Sequence, residues 1–105
     1  MTKQTLATIR ASDLLEGEIK SAALPDGSKV ALYNINGAYY ATQDLCTHEN
    51  ASLSEEGTLD GERVVCTWHY CEFSIASGEA LNSPCSEALR TFPVWVIDGV
   101  LHVEY

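Results

Sequence analysis

Two short segments of this chain each set a thiol and an imidazole close together, and that pattern limits how the chain can fold. The first is Cys46-Thr47-His48 and the second is Cys66-Thr67-Trp68-His69, with seventeen residues between them. For both donors of a pair to converge on one small object, the backbone has to turn in a tight loop rather than run flat as a strand, where neighbours alternate faces. Thiolate and imidazole are soft to borderline ligands, so metal chemistry is the first candidate. The expected arrangement is two loop tips brought together in space, clamping one cofactor.

The pattern Cys-x-His, seventeen residues, Cys-x-x-His resembles the Rieske iron–sulfur signature. In that family two Cys hold one iron of a 2Fe–2S cluster and two His hold the other. The resemblance implies that Cys46 and Cys66 bind one iron and that His48 and His69 bind the other. It is specific, because four ligand types occur in order with both internal spacings kept. Leu45-Cys46-Thr47-His48, Trp68-His69, Phe73, Ser77-Gly78 and Ser83-Pro84 also fall where Rieske ferredoxins carry similar residues. It covers essentially the whole chain and leaves nothing for a second module.

The family implies an all-β fold, a stack of small antiparallel sheets. A cluster-binding insert of about 44–87 would sit within a β base of about 1–43 and 88–105, as one domain of residues 1–105. The chain resembles the ferredoxin component of bacterial multicomponent aromatic-ring-hydroxylating dioxygenases, which serve aromatic hydrocarbon catabolism. Such a protein is a soluble carrier that passes single electrons from an NADH-dependent flavin reductase to a terminal oxygenase. No nucleophile–base pair, phosphate loop or carboxylate dyad is present, so the chain reads as an electron carrier and not as an enzyme. Two alternatives stay open. One is the small Rieske-like subunit of a nitrite reductase, although many such subunits lack the ligands that are all present here. The other is a structural zinc module, although zinc sites commonly pair their ligands as Cys-x(2–4)-Cys and His-x(3–5)-His.

Residues beside the ligands bear on the reduction potential. High-potential Rieske proteins carry a Ser two positions after the second His and a Tyr two further on, both donating hydrogen bonds to the cluster. Here those positions are Cys71 and Phe73. Phe has no donor and a thiol is a weak one. The disulfide that joins the two cluster loops in high-potential members would need cysteines near Ala51 and at Trp68, where there are none. The resemblance therefore implies a potential near the low end of the Rieske range, about −150 mV. Trp68 is expected to shield the cluster from water, with Leu45 and Pro84 closing over it in the same way. Tyr70 and Cys71 stand where ferredoxins more often have Gly, Gln or another small residue. Tyr70 is expected to cap the loop, and Cys71 to pack as a small inert hydrophobe. With two cysteines committed as ligands, Cys71 and Cys85 remain, expected as thiols in a reducing cytosol, with a bridge between them left open.

Charge excludes one class of partner. The net charge is −9 and the pI is about 4.5, whereas binding nucleic acid needs a basic face. The excess is concentrated. Residues 44–87 carry Asp44, Glu49, Glu55, Glu56, Asp60, Glu62, Glu72, Glu79 and Glu87 against Arg63 alone. This reads either as a solvated surface that keeps a small protein soluble or as a field for basic patches on redox partners. No secretory signal and no stretch of membrane-spanning length is present. The expectation is a cytoplasmic protein, a monomer, with no membrane partner.

Turn signals divide the rest into strands. These are expected at Thr5–Arg10, Glu18–Leu24, Lys29–Ile35, Ala38–Thr42, Gly57–Leu59, Glu62–Cys66, Phe73–Ile75, Thr91–Ile97 and Val100–Glu104, with a brief one near Ala80-Leu81. Asn36-Gly37 and Asp98-Gly99 are strong hairpin turns because both residues tolerate positive φ; Pro25-Asp26-Gly27 and Asp60-Gly61 mark two more turns. Ala11–Gly17 reads as a turn or a single helical turn capped by Ser12 or Asp13. Pro93 points to a strand beginning or a sheet edge. Phe92, Trp95, Tyr39 and Tyr40 read as core or strand-face residues. His102 reads as a surface residue and not a ligand.

Overall fold

The computed structural model describes residues 4–47, 51–67, 70–82 and 86–105. Three antiparallel sheets account for its strands. β1 (Thr5–Arg10), β10 (Val100–Glu104) and β9 (Val94–Ile97) form the first, in the order β1-β10-β9. β2 (Ile19–Ala23), β3 (Lys29–Ile35), β4 (Ala38–Gln43) and β8 (Thr91–Phe92) form the second, in that order. The third, β5-β6-β7, uses β5 (Gly57–Asp60), β6 (Arg63–Cys66) and β7 (Cys71–Ser74), all drawn from the chain between β4 and β8. The expected all-β class and nearly all the expected strands are observed.

The two hairpin turns form as their residues dictate. Asn36 and Gly37 take φ of 52° and 86°, and Asp98 and Gly99 take 50° and 77°. Positive φ at both central residues matches the right-handed twist of the flanking strands. Registers confirm two-residue loops, with Ile35 opposite Ala38 and Ile97 opposite Val100. In the third sheet Asp60 pairs with Arg63, so the turn is Gly61-Glu62, one residue later than expected. Gly61 takes φ of 61°.

Three expectations need correction. Thr91–Ile97 is not one strand: Pro93 divides it, and β8 and β9 belong to different sheets. Proline has no N–H for a ladder, so it sits where the chain leaves the edge of one sheet for the edge of the next. The turn after β1 is a 3-10 helix, Ala11–Asp13, whose N-cap is Arg10 with no side-chain bond; Ser12 and Asp13 lie inside it and do not cap it. A four-residue helix, α1 (Leu53–Glu56), was not foreseen.

β3 organises the packing. Its burial runs unbroken from Val30 to Asn34. Alternate side chains serve two cores, as strand geometry requires. Val30 and Leu32 join Leu14, Leu24, Ala41, Phe92, Leu101 and Val103 under the terminal sheet. Ala31 and Tyr33 join Leu53, Val64, Phe73, Ile75, Leu89 and the cysteines 46, 66 and 71 under the third sheet. Phe92 and Tyr39 therefore belong to one core and Tyr40 to the other, as expected of strand-face aromatics. His102 is half-buried opposite Trp95 on β9 and Ala7 on β1.

Leu32 is fully buried in the core away from the two cysteine loops. Leu32→Ala is expected to cost about 3 kcal/mol, seen as a lowered denaturant midpoint at unchanged slope. The visible spectrum of the folded protein should stay that of the parent.

Candidate metal centre

The two cysteine loops leave the sheets at adjoining places. The first follows β4 and the second joins β6 to β7. Cys46 and Cys66 are 4% and 0% exposed, lie in the same buried cluster, and are not disulfide-bonded. Each is followed by a threonine facing the other way. The Thr47 hydroxyl donates to the Glu87 carbonyl at 2.8 Å, and the Thr67 hydroxyl donates to the Glu56 carbonyl at 2.7 Å. Each bond ties the residue after a buried cysteine to a distant backbone carbonyl, which helps hold that loop in place.

Asp44 closes the first loop, and sequence reasoning missed this role by counting it with the surface acids. It is 3% exposed. Its carboxylate accepts the Ser52 hydroxyl at 2.6 Å and the Ser54 N–H at 2.9 Å. Ser52, at the N-cap of α1, makes no side-chain cap bond of its own, so Asp44 supplies the acceptor from eight residues upstream. A carboxylate there also suits the positive end of the helix dipole. The Asp44 backbone bonds both ways: its N–H donates to Lys29 O at 3.1 Å, and its carbonyl accepts the Leu53 N–H at 2.6 Å. The Cys46 N–H donates to Ala51 O at 2.9 Å inside this closed loop. Beneath it, the Tyr33 hydroxyl and Thr42 Oγ1 lie 2.8 Å apart, and burial pushes the Tyr33 phenol far above its ordinary range. Gly57 ends α1 in close quarters, where a Cβ would meet the Leu53 carbonyl at 2.5 Å.

The second loop is the link of a β-hairpin. Cys66 and Cys71 are direct cross-strand partners, and with Val64 and Phe73 they form the buried inner face of the third sheet. Tyr70 ends the loop at φ of 55° and is 70% exposed. A glycine would adopt that φ without strain. Cys71 lies in β7 and not in the loop, and it is disulfide-bonded, the alternative left open beside the expected inert thiol. It is fully buried. Phe73 is also fully buried. Leu45 is half-exposed, beside Gln43 and Arg90 on an open surface cavity. His48, Trp68, His69, Pro84 and Cys85 lie outside the described residues, so of the four expected ligands the structure describes Cys46 and Cys66.

A family model of the Rieske [2Fe-2S] domain matches residues 4–93. The chain belongs to the Rieske [2Fe–2S] domain family. It is 47% identical over 92 residues to the ferredoxin component of a p-cumate 2,3-dioxygenase system of Pseudomonas putida, covering 88% of this chain and 78% of the relative. It is 36% identical over 94 residues to the ferredoxin component of a naphthalene 1,2-dioxygenase system of Pseudomonas putida, covering 90% and 88%. Among solved structures, a ferredoxin of Sphingomonas yanoikuyae B1 superposes with a TM-score of 0.90 at 31% identity, covering 97% of this chain and 99% of that one. The complex of reduced oxygenase and oxidised ferredoxin of carbazole 1,9a-dioxygenase contains a chain matching with a TM-score of 0.87 at 39% identity, covering 93% and 99%.

This Rieske domain carries one 2Fe–2S cluster, and its residues suit that group. Two buried thiols in one core, on loops pinned by threonine and aspartate, provide the sulfur half of a mixed donor set. Among the described residues no three His, Cys, Asp or Glu side chains gather into any other metal site.

Asp44→Ala would leave the Ser54 N–H and the Ser52 hydroxyl without their acceptor. A loss of about 2 kcal/mol is expected, read as a fall in the thermal midpoint of the loaded protein. Asp44→Asn, which keeps one acceptor oxygen, should fall less.

Proposed function

We propose that Cys46 and Cys66 bind one iron of the cluster and His48 and His69 the other, and that the protein works as a soluble single-electron carrier. The electron-transfer role itself is that of the ferredoxin components to which the chain is related, which are not catalytic subunits. The observation that carries the ligand reading is the pair of buried thiols, Cys46 and Cys66, in one core on two separately anchored loops. With four protein ligands in place, the site has no open position for a substrate.

When bound, a Rieske cluster supplies one-electron chemistry between roughly −150 and +300 mV, because two neutral imidazoles replace two thiolates. The chain's own residues set where in that window it falls. Phe73 has no donor, and Cys71, being in a disulfide, has no S–H to offer. Neither position contributes a hydroxyl bond that would favour the reduced state, and burial of Phe73 keeps water from taking its place. Leu45, Trp68 and Pro84 are read as the residues that limit solvent around the ligands.

The proposed partners are a flavin-dependent ferredoxin reductase on the donor side and a terminal aromatic-ring oxygenase on the acceptor side. The carbazole dioxygenase complex is a precedent for the second. Exposed Glu55, Asp60, Glu62, Glu79 and Glu87 would meet basic patches on these partners. No nucleic-acid partner fits a charge of −9. No helix among the described residues is long and apolar enough to cross a membrane. A cytoplasmic monomer, with a base of about 1–43 and 88–105 carrying an insert of about 44–87, completes the reading; the third sheet's origin within one contiguous stretch supports that division.

Visible and EPR spectra before and after dithionite test the ligand set. The reduced protein should give a signal averaging below the free-electron g value, with coupling to two imidazole nitrogens. A colourless protein with stoichiometric zinc would overturn it. Chelation of the iron should bleach the protein and lower its thermal midpoint, since ligand binding to the folded state alone stabilises it.

Redox titration should give a midpoint near −150 mV. Phe73→Tyr, which places a hydroxyl at the donor position, should shift it upward. A parent midpoint well above zero would contradict this account of the tuning.

A further inference from the structure

Along the outer edge of β7 the neighbouring chain pairs by its backbone and then by a side chain. The Ser74 N–H donates to Glu79 O at 2.9 Å, Phe73 bridges Ala80, and the Leu81 N–H donates to Glu72 O at 2.8 Å. At the next step the backbone contact is replaced by Asn82. Its Oδ1 accepts the Glu72 N–H at 2.9 Å, and its Nδ2 donates to Tyr70 O at 3.0 Å. The Asn82 amide thus extends the ladder onto the segment that immediately follows His69.

Three features make that segment dependent on an outside hold. Tyr70 sits at φ of 55°, which costs a residue with a Cβ roughly 1–2 kcal/mol. The carbonyl that follows this strained φ is the one bound by Asn82 Nδ2. Between the two residues that Asn82 binds lies Cys71, fully buried, disulfide-bonded and directly opposite Cys66. Glu72 completes the clasp, reaching Arg63 on β6 at 3.0 Å and Asn82 Nδ2 at 3.4 Å.

We propose that Asn82 is a positioning residue for the second imidazole ligand, clamping the backbone of Tyr70 and Glu72 on either side of the Cys71 disulfide so that the loop bearing His69 is held in one geometry. Its described bonds run to the backbone of Tyr70 and Glu72 and to the Glu72 carboxylate. The inference rests on His69 as a ligand.

The test uses the cluster-loaded full chain and three variants. Asn82→Ala removes both backbone bonds; Asn82→Asp keeps an acceptor for the Glu72 N–H but cannot donate to Tyr70 O. Asn34→Ala removes the Asn34 Nδ2 bond to Leu14 O, 2.9 Å and buried in the base, and serves as the stability control. Nitrogen couplings of the reduced protein and the rate of cluster loss to an iron chelator are measured at equal ionic strength. Asn82→Ala should lose its cluster about tenfold faster with altered or broadened coupling to one imidazole only. Asn82→Asp should fall between it and the parent, and Asn34→Ala should lower the thermal midpoint with parental couplings. If Asn82→Ala takes up no cluster while Asn34→Ala does, Asn82→Asp decides, by the same altered coupling. Parental couplings and a loss rate within twofold in both Asn82 variants would overturn the proposal. A parent protein without imidazole coupling would instead overturn the assignment of His69.

Discussion

A strand with no solvent face is the constraint on which this molecule depends. β3 buries Val30 and Leu32 on one side and Ala31 and Tyr33 on the other. A one-residue slip would exchange the two sets, placing Tyr33 in the space shaped for Leu32, so the register is fixed from both directions. The layer on one side is structural. The layer on the other contains Cys46 and Cys66. The thiols proposed to hold iron are therefore built into a hydrophobic core and not appended to it. Folding and cluster binding then draw on the same contacts, and binding of the cluster to the folded state alone adds to stability.

Holding the loops falls to polar groups, because a loop cannot bury enough apolar surface to fix itself. Each is tied at a different place. Thr47 reaches Glu87 and Asp44 closes over Ser52 and Ser54 in the first; Thr67 reaches Glu56 and Asn82 reaches Tyr70 and Glu72 in the second. Several of these acceptors are backbone carbonyls, which cannot move without moving the segments they belong to. That is a physical reason for ligand loops to sit between short strands: the neighbouring backbone is already fixed and offers acceptors.

What could be read in the sequence follows from how local its cause is. Asn36-Gly37 and Asp98-Gly99 were legible because positive φ is a property of those residues. The two Cys/His segments could be singled out because donor type and spacing are local as well; of their four donors the structure describes Cys46 and Cys66. Pro93 announced a break but not the change of sheet, which depends on where β9 finds its partner. The unbroken apolar run Val30–Tyr33 was readable as a strand buried on two faces, and it was read only as one arm of a hairpin. The four residues of α1 are too few to show a period, and the acceptor at its start comes from Asp44, across a loop. Asn82 was not legible for the same reason: it depends on partners that proximity in the chain does not reveal; a bridge at Cys71 was left open as the alternative to a thiol. The compartment argument for a thiol at Cys71 addressed the surroundings of the protein and not the burial of that sulfur, which a reductant has to reach.

The acidic insert looks different once its members are placed. Of its nine carboxylates, Asp44 is internal and spent on the first loop. Arg63, its only base, is held by Asp60 at 3.3 Å and Glu72 at 3.0 Å and has little field left to offer. Glu55, Glu62, Glu79 and Glu87 are exposed and leave the insert's surface acidic. Such a field acts over roughly a Debye length, about 8 Å at physiological salt, and speeds encounter more than it strengthens the complex. A shuttle has to leave each partner as readily as it meets it. Acidic groups spread over the insert's surface speed approach without adding the buried contacts that would slow release.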